Sequence, residues 1–179
     1  MLVDLNRTLV SLLKMELEPN IRDIIDISFA TPDEQFPPVN TTLPAIDLFL
    51  YDVRVKPQMK TYDLWVDETS TEKDKGLHRR PPVLVECSYL ITAWPSDSVP
   101  NPEEDEHHLL NEVMIALLRH SRIPEDCLQG RLKSNAPPFP VANLQPGRRQ
   151  SIELFWQAVG GKLKAALDYN VIIEATLDR

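Results

Sequence analysis

The clearest hydrophobic pattern lies near the C-terminus, where the spacing of apolar residues changes from helical to extended. Residues 152–159 carry an apolar stripe at helical spacing, with Ser151 as a suitable N-cap and Gly160-Gly161 as a suitable end. The stripe consists of Ile152, Phe155, Trp156 and Val159. From Leu167 to Leu177 apolar and polar residues alternate, apart from Ile172. The sequence therefore predicts a short helix followed by a strand with one buried and one mostly polar face.

Helical spacing also marks two longer segments. Leucines recur through residues 2–17, and Pro19 ends the pattern. A second helix is predicted to begin with Asn101 as its N-cap and Pro102 as its first residue, and to run to about residue 119. The acidic residues 103–106 suit the positive end of its dipole.

Three further strands are predicted: a short one over residues 24–30, and longer ones over Ala45–Val55 and Val83–Trp94. Strict alternation along Ala45–Val55 assigns Ile46, Leu48 and Leu50 to one face and Phe49, Tyr51, Val53 and Val55 to the other. Because both faces are apolar, we expect the second face to meet a partner. Residues 123–150 leave room for one more short strand.

This order of elements predicts an α+β fold, a two-layer arrangement in which two to three helices pack on a mostly antiparallel sheet of about four to five strands. The length of 179 residues suggests a single domain, 1–179. Residues 56–82 are the least apolar stretch, and we interpret them as a projecting loop or hairpin. Trp65 within it is a candidate contact residue, although local packing explains it equally well.

Composition excludes several functions. A net charge of −8 argues against nucleic-acid binding and against attraction to anionic membranes. No N-terminal segment is apolar enough for a signal peptide or membrane span, so we expect synthesis and assembly in the cytoplasm. Cys87 and Cys127 do not make a disulfide framework, and Cys87, inside an apolar predicted strand, is expected to be a reduced, buried thiol. Two short basic pairs, Arg79-Arg80 and Arg148-Arg149, either serve solubility or contact an acidic protein partner.

No residues form a convincing catalytic, cofactor or metal site. His107 and His108 are adjacent on a predicted helix, so they point about 100° apart and cannot hold one ion together. His108 could share an ion with Glu104 or Glu112, but zinc usually takes three or four protein ligands. Ser88 lies in a predicted strand without a nucleophile-elbow motif. We therefore predict no catalytic residue, no cofactor and no metal.

Single carboxylates on the strands are interpreted as structural. Asp47 and Asp52 are five residues apart, which places them on opposite faces of a regular strand. Glu86 and Glu174 either belong to a solvated sheet face or form a cross-strand or intersubunit ion pair.

Several segments together resemble the N-terminal domain family of the tail terminator, or cap, of extracellular contractile injection systems. These systems are phage-tail-like particles of the antifeeding-prophage and virulence-cassette type. In chain order the segments are residues 4–13, 27–32 (Ile-Ser-Phe-Ala-Thr-Pro), 48–54 (Leu-Phe-Leu-Tyr-Asp-Val-Arg), 83–94, 107–124 and 155–169. Each segment alone has low specificity, and the ordered set covers nearly the whole chain.

The resemblance implies a phage tail-terminator-like fold and a homohexameric ring at the distal end of the inner tube and sheath. Such a ring stops polymerisation and anchors the sheath, without catalytic residues. On this view the partners are further copies of the chain, the inner tube protein and the sheath protein, with no nucleic acid and no membrane insertion. Trp65, Arg79, Arg80, Arg148 and Arg149 are the candidate interface residues. Two alternatives remain open: an unrelated protein-binding module, and a hydrolase with a dispersed site that uses residues such as Ser88, His108 and His120.

Overall fold

The computed structural model describes residues 1–56, 83–133, 141–144 and 152–175. Its helices are α1 (Leu2–Glu16), α2 (Pro19–Arg22), α3 (Pro102–Leu118) and α4 (Ile152–Val159), with 3-10 turns at Glu125–Cys127 and Gly130–Lys133. Its strands are β1 (Asp26–Ser28), β2 (Ala45–Val55), β3 (Val83–Trp94), β4 (Val141–Leu144) and β5 (Leu167–Ala175).

The five strands form one mixed sheet in the order β1-β2-β3-β5-β4. Only β1 and β2 pair in parallel, and the other neighbours are antiparallel. The predicted α+β class and mostly antiparallel sheet are therefore confirmed. The two long strands have the predicted bounds, the predicted strand at 24–30 contracts to β1, and the extra short strand is β4.

Helices α1 and α3 cover one face of the sheet, which we call the α1/α3 face. Apolar side chains at alternate positions of β2, β3 and β5 pack there against the apolar stripes of both helices. Leu5, Leu9, Leu12 and Leu13 of α1 are fully buried. Tyr89 is buried too, and its hydroxyl donates to Asn6 Oδ1 at 2.8 Å. This face forms the main apolar core of the described residues.

A short irregular segment closes the outer side of α1. The backbone amide of Gln129 donates to Thr8 Oγ1 at 3.0 Å, and its side-chain amide donates to Ser11 Oγ at 3.2 Å. Thr8 is fully buried on α1. These bonds give buried polar groups partners and hold residues 125–133 against the helix.

Helix α4 lies on the opposite face, which we call the α4 face. Tyr51 packs edge-on against Phe155 of α4, with ring centroids 5.7 Å apart. The Tyr51 hydroxyl donates to Asp168 Oδ1 at 2.8 Å. Trp156 is almost fully buried, as the predicted helical stripe requires.

A β-bulge at Tyr51 corrects the predicted facing of β2. Leu50 pairs with Tyr89, but Asp52 pairs with Ser88, so Tyr51 is one extra residue in β2. Residues after the bulge consequently change sides: Val53 and Val55 lie on the α1/α3 face with Leu50. The strict alternation assumed from the sequence was wrong for Val53 and Val55, and the α4 face is less apolar than expected.

Helix ends agree in part with the predictions. Pro102 is the first residue of α3, as expected. The Asn101 side chain makes no cap hydrogen bond to the backbone and instead donates to Glu104 Oε2 at 3.1 Å. Gly160 follows α4 with φ of +72°, a left-handed conformation that favours glycine. The proposed N-cap Ser151, Leu177 and most of the predicted loop at 56–82 lie outside the described residues.

Candidate docking surface

The structure does not test the contact residues predicted from the sequence. Trp65, Arg79, Arg80, Arg148 and Arg149 all lie outside the described residues. They stay predictions, and the geometry of a docking surface has to come from other parts of the chain.

The residues considered for catalysis are not brought together. The Ser88 hydroxyl donates to Asn170 Oδ1 of β5, on the α4 face. His120 follows α3, on the other side of the sheet, where its Nε2 lies 2.7 Å from Glu16 Oε1. His108 is exposed on α3. Across the described residues, no three His, Cys, Asp or Glu side chains are grouped closely enough to hold a metal ion.

The strand carboxylates have different surroundings from those predicted. Asp47 pairs with Thr92 and Asp52 pairs with Ser88, so both carboxylates lie on the α4 face. The prediction of opposite faces was wrong, because the bulge at Tyr51 reverses the alternation between them. Their partners on β3 are four residues apart, or about 13 Å along a strand. The two carboxylates therefore do not form an acid/base pair.

Glu86 on β3 forms an ion pair with Lys56, which follows the neighbouring strand β2. A cross-strand ion pair is one of the roles proposed for Glu86 from the sequence. Its Oε1 lies 3.3 Å from Lys56 Nζ, and Glu86 is 7% exposed.

Asp47 is a buried acid at the start of β2. It is fully buried, and among the described residues neither carboxyl oxygen has a hydrogen-bond partner of normal geometry. Burial raises the pKa of Asp47 to about 7, and the nearby Ser28 hydroxyl and Ala30 amide offset this only in part. Burial therefore favours the protonated form of Asp47.

The outer edge of β2 is only partly covered by β1. The three residues of β1 pair with Ala45–Asp47. No other described strand lies beside the remaining edge, residues 48–55. We call this stretch the open edge. Unpaired strand edges are templates for the addition of another strand.

Hydrogen bonding shows which groups the open edge presents. The Lys56 amide donates to the Leu84 carbonyl on β3 at 2.9 Å. Because alternate residues of an antiparallel strand direct their backbone groups to opposite sides, the amides of Val55 and Val53 point away from β3. Their side chains are 67% and 46% exposed. The open edge thus combines backbone donors with exposed apolar side chains.

A second surface feature is a groove around two stacked aromatic rings, which sequence reasoning missed. The rings of Phe36 and Trp94 lie 4.2 Å apart at 24°. Lys164 Nζ lies 3.8 Å from the centre of the Trp94 indole, donates to the Ala93 carbonyl at 2.6 Å and pairs with Glu106 at 3.1 Å. Burial lowers the pKa of Lys164, and Glu106 opposes that effect. No local spacing links these residues, which come from separate parts of the chain.

Two clefts, of about 460 and 700 Å³, meet at this stack. We call the pair the aromatic groove. Its aromatic and aliphatic surface is provided by Phe36, Pro37, Leu43, Trp94 and Pro95.

In the part of the chain that the structure describes, no helix has both the length and the apolar character needed to cross a bilayer.

Comparison with known proteins agrees with this fold. The family model described as the Pvc16 N-terminal domain matches residues 4–175. Similar solved structures include the sheath/tube terminator of the extracellular contractile injection system PVC in its extended state (20% identity, TM-score 0.66) and the tube-terminating cap of the anti-feeding prophage (22% identity, TM-score 0.63). Each match covers 100% of this chain, but only 57% and 56% of the respective solved chains. No curated protein matches the sequence.

Proposed function

Because the chain belongs to the Pvc16 N-terminal domain family, we propose that it is a structural cap of a contractile injection system. In this role it sits at the distal end of the inner tube and sheath, ends their polymerisation and anchors the sheath. The observation that carries the proposal is the match of the entire chain to the fold of a sheath/tube terminator and of a tube-terminating cap. Residues 1–179 act as one domain without catalytic residues, in particles assembled in the cytoplasm.

The proposed assembly is a homohexameric ring. A ring closes head-to-tail contacts between identical subunits, so it ends in a finite particle rather than a filament. The partners are the inner tube protein and the sheath protein. We place one of the contacts at the open edge of β2, since its outward amides allow a partner strand to extend the sheet.

The function is tested by electron microscopy of particles assembled with and without this chain. Without it, we expect tubes and sheaths of variable length, or sheaths detached from the tube; adding the purified protein back should restore uniform particles with six-fold rings at one end. Particles of normal, uniform length in its absence would falsify the proposal. A stable one-to-one complex with an unrelated soluble protein would instead favour a general binding module.

The open edge is tested with Val55→Pro, which removes an outward amide without removing a bond to β3. We expect an intact fold and reduced attachment to the tube or sheath. Val55→Ala is the matched control, because it keeps the amide and truncates the same side chain. Equal attachment of both variants would show that backbone pairing at this edge plays no part.

The basic pair Arg148-Arg149 provides a separate test. Reversal of both charges to glutamate should weaken docking if the pair faces an acidic ring. Normal tube length and sheath attachment in that variant would refute its role as a contact.

A further inference from the structure

Hydrogen bonds fix the segment 30–44, which forms part of the wall of the aromatic groove, to two other parts of the chain. The Glu34 amide donates to the Gly160 carbonyl at 3.2 Å. The Thr42 amide and hydroxyl both donate to Asp26 Oδ2, at 2.8 and 2.7 Å. A side chain at Gly161 would place its Cβ 2.4 Å from the Pro32 carbonyl oxygen, so glycine permits this close approach. The groove is therefore formed before any ligand arrives, which lowers the entropic cost of binding.

The two clefts and their surface suit an extended ligand. Their volumes lie within the usual range for ligand sites, about 300–1,000 Å³. Both clefts are lined by Phe36, Trp94 and Lys164, so an extended chain that crosses the stack contacts both. Aromatic-lined grooves bind extended, proline-containing peptides in other proteins.

The charged residues that line the groove indicate the charge of its ligand. Glu106 neutralises Lys164, which leaves Lys162 as the free ammonium group among the described lining residues. Asp33, Glu34 and Asp97 also line the clefts, and among the described residues none of the three has a cationic partner. Acidic residues 103–105 in the first turn of α3 precede Glu106 and add negative charge nearby. The groove therefore attracts a cationic group.

We propose that the aromatic groove binds an extended segment of another particle subunit, in which a lysine or arginine adjoins an aliphatic or proline residue. The aliphatic residue packs beside the Phe36–Trp94 stack, and the basic side chain reaches Asp33, Glu34 or Asp97. This inference rests on the proposed function, because it takes the tube and sheath subunits as the source of the segment.

The test uses overlapping synthetic peptides of about 15 residues that cover the tube and sheath subunits, with peptides from this chain as a separate set. Binding to the 179-residue chain is measured by calorimetry and by the NMR signal of the Trp94 indole N–H, which donates to Thr92 Oγ1 at 2.9 Å. We expect basic peptides to shift this signal and to bind more weakly as salt increases.

Charge reversal supplies the decisive comparison. The double variant Glu34→Lys with Asp97→Lys should weaken peptide binding by tenfold or more. The control, Glu18→Lys with Glu125→Lys, makes the same change of charge at exposed positions outside the groove and should leave affinity within about twofold. If the first variant is unfolded, the salt dependence and the Trp94 signal of the unaltered protein decide the matter.

The inference is overturned if no peptide moves the Trp94 signal, if the peptides that bind are acidic, or if the double variant binds as well as the control. Binding by peptides of this chain alone would also overturn it and would make the groove a contact between copies. Particle assembly separates this inference from the cap function. If no peptide binds the unaltered protein and the double variant still gives uniform particles, the groove is rejected as a binding site and the cap function is retained.

Discussion

The two faces of the sheet bury different kinds of side chain. The α1/α3 face buries almost entirely aliphatic and aromatic side chains against two long helices. The α4 face, covered in part by a shorter helix, includes six nearly or fully buried polar groups: Ser28, Asp47, Glu86, Ser88, Thr92 and Asp168. The Ser28 side chain lies with Asp47, its partner in the parallel β1–β2 pair.

Because of this difference, the stability that each face contributes should depend differently on pH. Apolar packing supplies stability that depends little on pH. Buried polar groups contribute little net stability, and each one left without a partner has a cost. The α1/α3 face therefore supplies stability mainly through apolar packing, whereas the buried acid Asp47 makes the stability of the α4 face depend on protonation.

The largest effect should follow from truncating the α1/α3 face. Leu9→Ala removes a fully buried side chain of α1 and should lower the free energy of unfolding by about 3–5 kcal/mol. Val3→Ala, on the same helix but 61% exposed, is the control and should change it by less than about 0.5 kcal/mol. Chemical denaturation measures both, and a loss below 1 kcal/mol for Leu9→Ala would show that α1 is not part of the core.

Asp47 should make the α4 face sensitive to pH. Its pKa is about 7 when folded against an ordinary value of 3.8, so the folded state holds the proton more tightly. Stability from this group is then present at low pH and falls as pH rises from about 4 to about 7. The shift means that the ionised Asp47 carboxylate destabilises the folded state by about 4 kcal/mol at high pH. An asparagine amide at this position also has a burial cost, so Asp47→Asn removes only part of that destabilisation.

We therefore expect Asp47→Asn to raise the free energy of unfolding at pH 8 by roughly 2–3 kcal/mol and to leave it nearly unchanged at pH 4. Asp52→Asn is the control on the same face, where a side chain paired with Arg54 is partly exposed. Its effect should stay below about 1 kcal/mol at both pH values. A pH-independent gain for Asp47→Asn would contradict the raised pKa.

Two tyrosines compare the faces directly. Tyr51 donates to the carboxylate of Asp168 on the α4 face, and Tyr89 donates to the amide of Asn6 on the α1/α3 face. Bonds to charged groups are the stronger class, so Tyr51→Phe should cost about 1.5–2 kcal/mol and Tyr89→Phe about 1 kcal/mol. Thermal unfolding measures both, and the reverse order would show that the α4 bond is not charge-assisted.

The smallest effect is expected for a polar segment that adds little apolar area. Deletion of residues 67–75, which are polar and charged, should change the free energy of unfolding by less than about 0.5 kcal/mol, because the segment adds little apolar area. Circular dichroism and solubility of the deletion variant measure this. An insoluble or unfolded product would show that the segment belongs to the fold.

Much of the secondary structure could be predicted from local patterns. Strands β2 and β3 begin and end where expected, and α1, α3, α4 and β5 agree within a few residues. These elements follow from the periods of 3.6 and 2 in the placement of apolar residues, and from prolines and glycines at their ends. A short strand such as β4 carries too few residues for a period, so only its general region could be anticipated.

The candidate docking surface was less predictable. The predicted contact residues lie outside the described residues, and the open edge and the aromatic groove were found only in the fold. Phe36, Trp94 and Lys164 come from three separate segments, so no spacing in the sequence connects them. Trp94 and Lys164 lie in segments that carry the family resemblance, but the resemblance gave neither of them a contact role.

Local patterns along the chain were thus enough to predict most of the helices and strands and the α+β class, whereas the family was indicated by the resemblance of an ordered set of segments. Tertiary structure alone decided the bulge at Tyr51, the sides taken by Val53 and Asp52, and the burial of Asp47. The reason is physical: a helix or strand is favoured by neighbours a few residues away, whereas register, facing and burial depend on segments that meet only after the chain has folded.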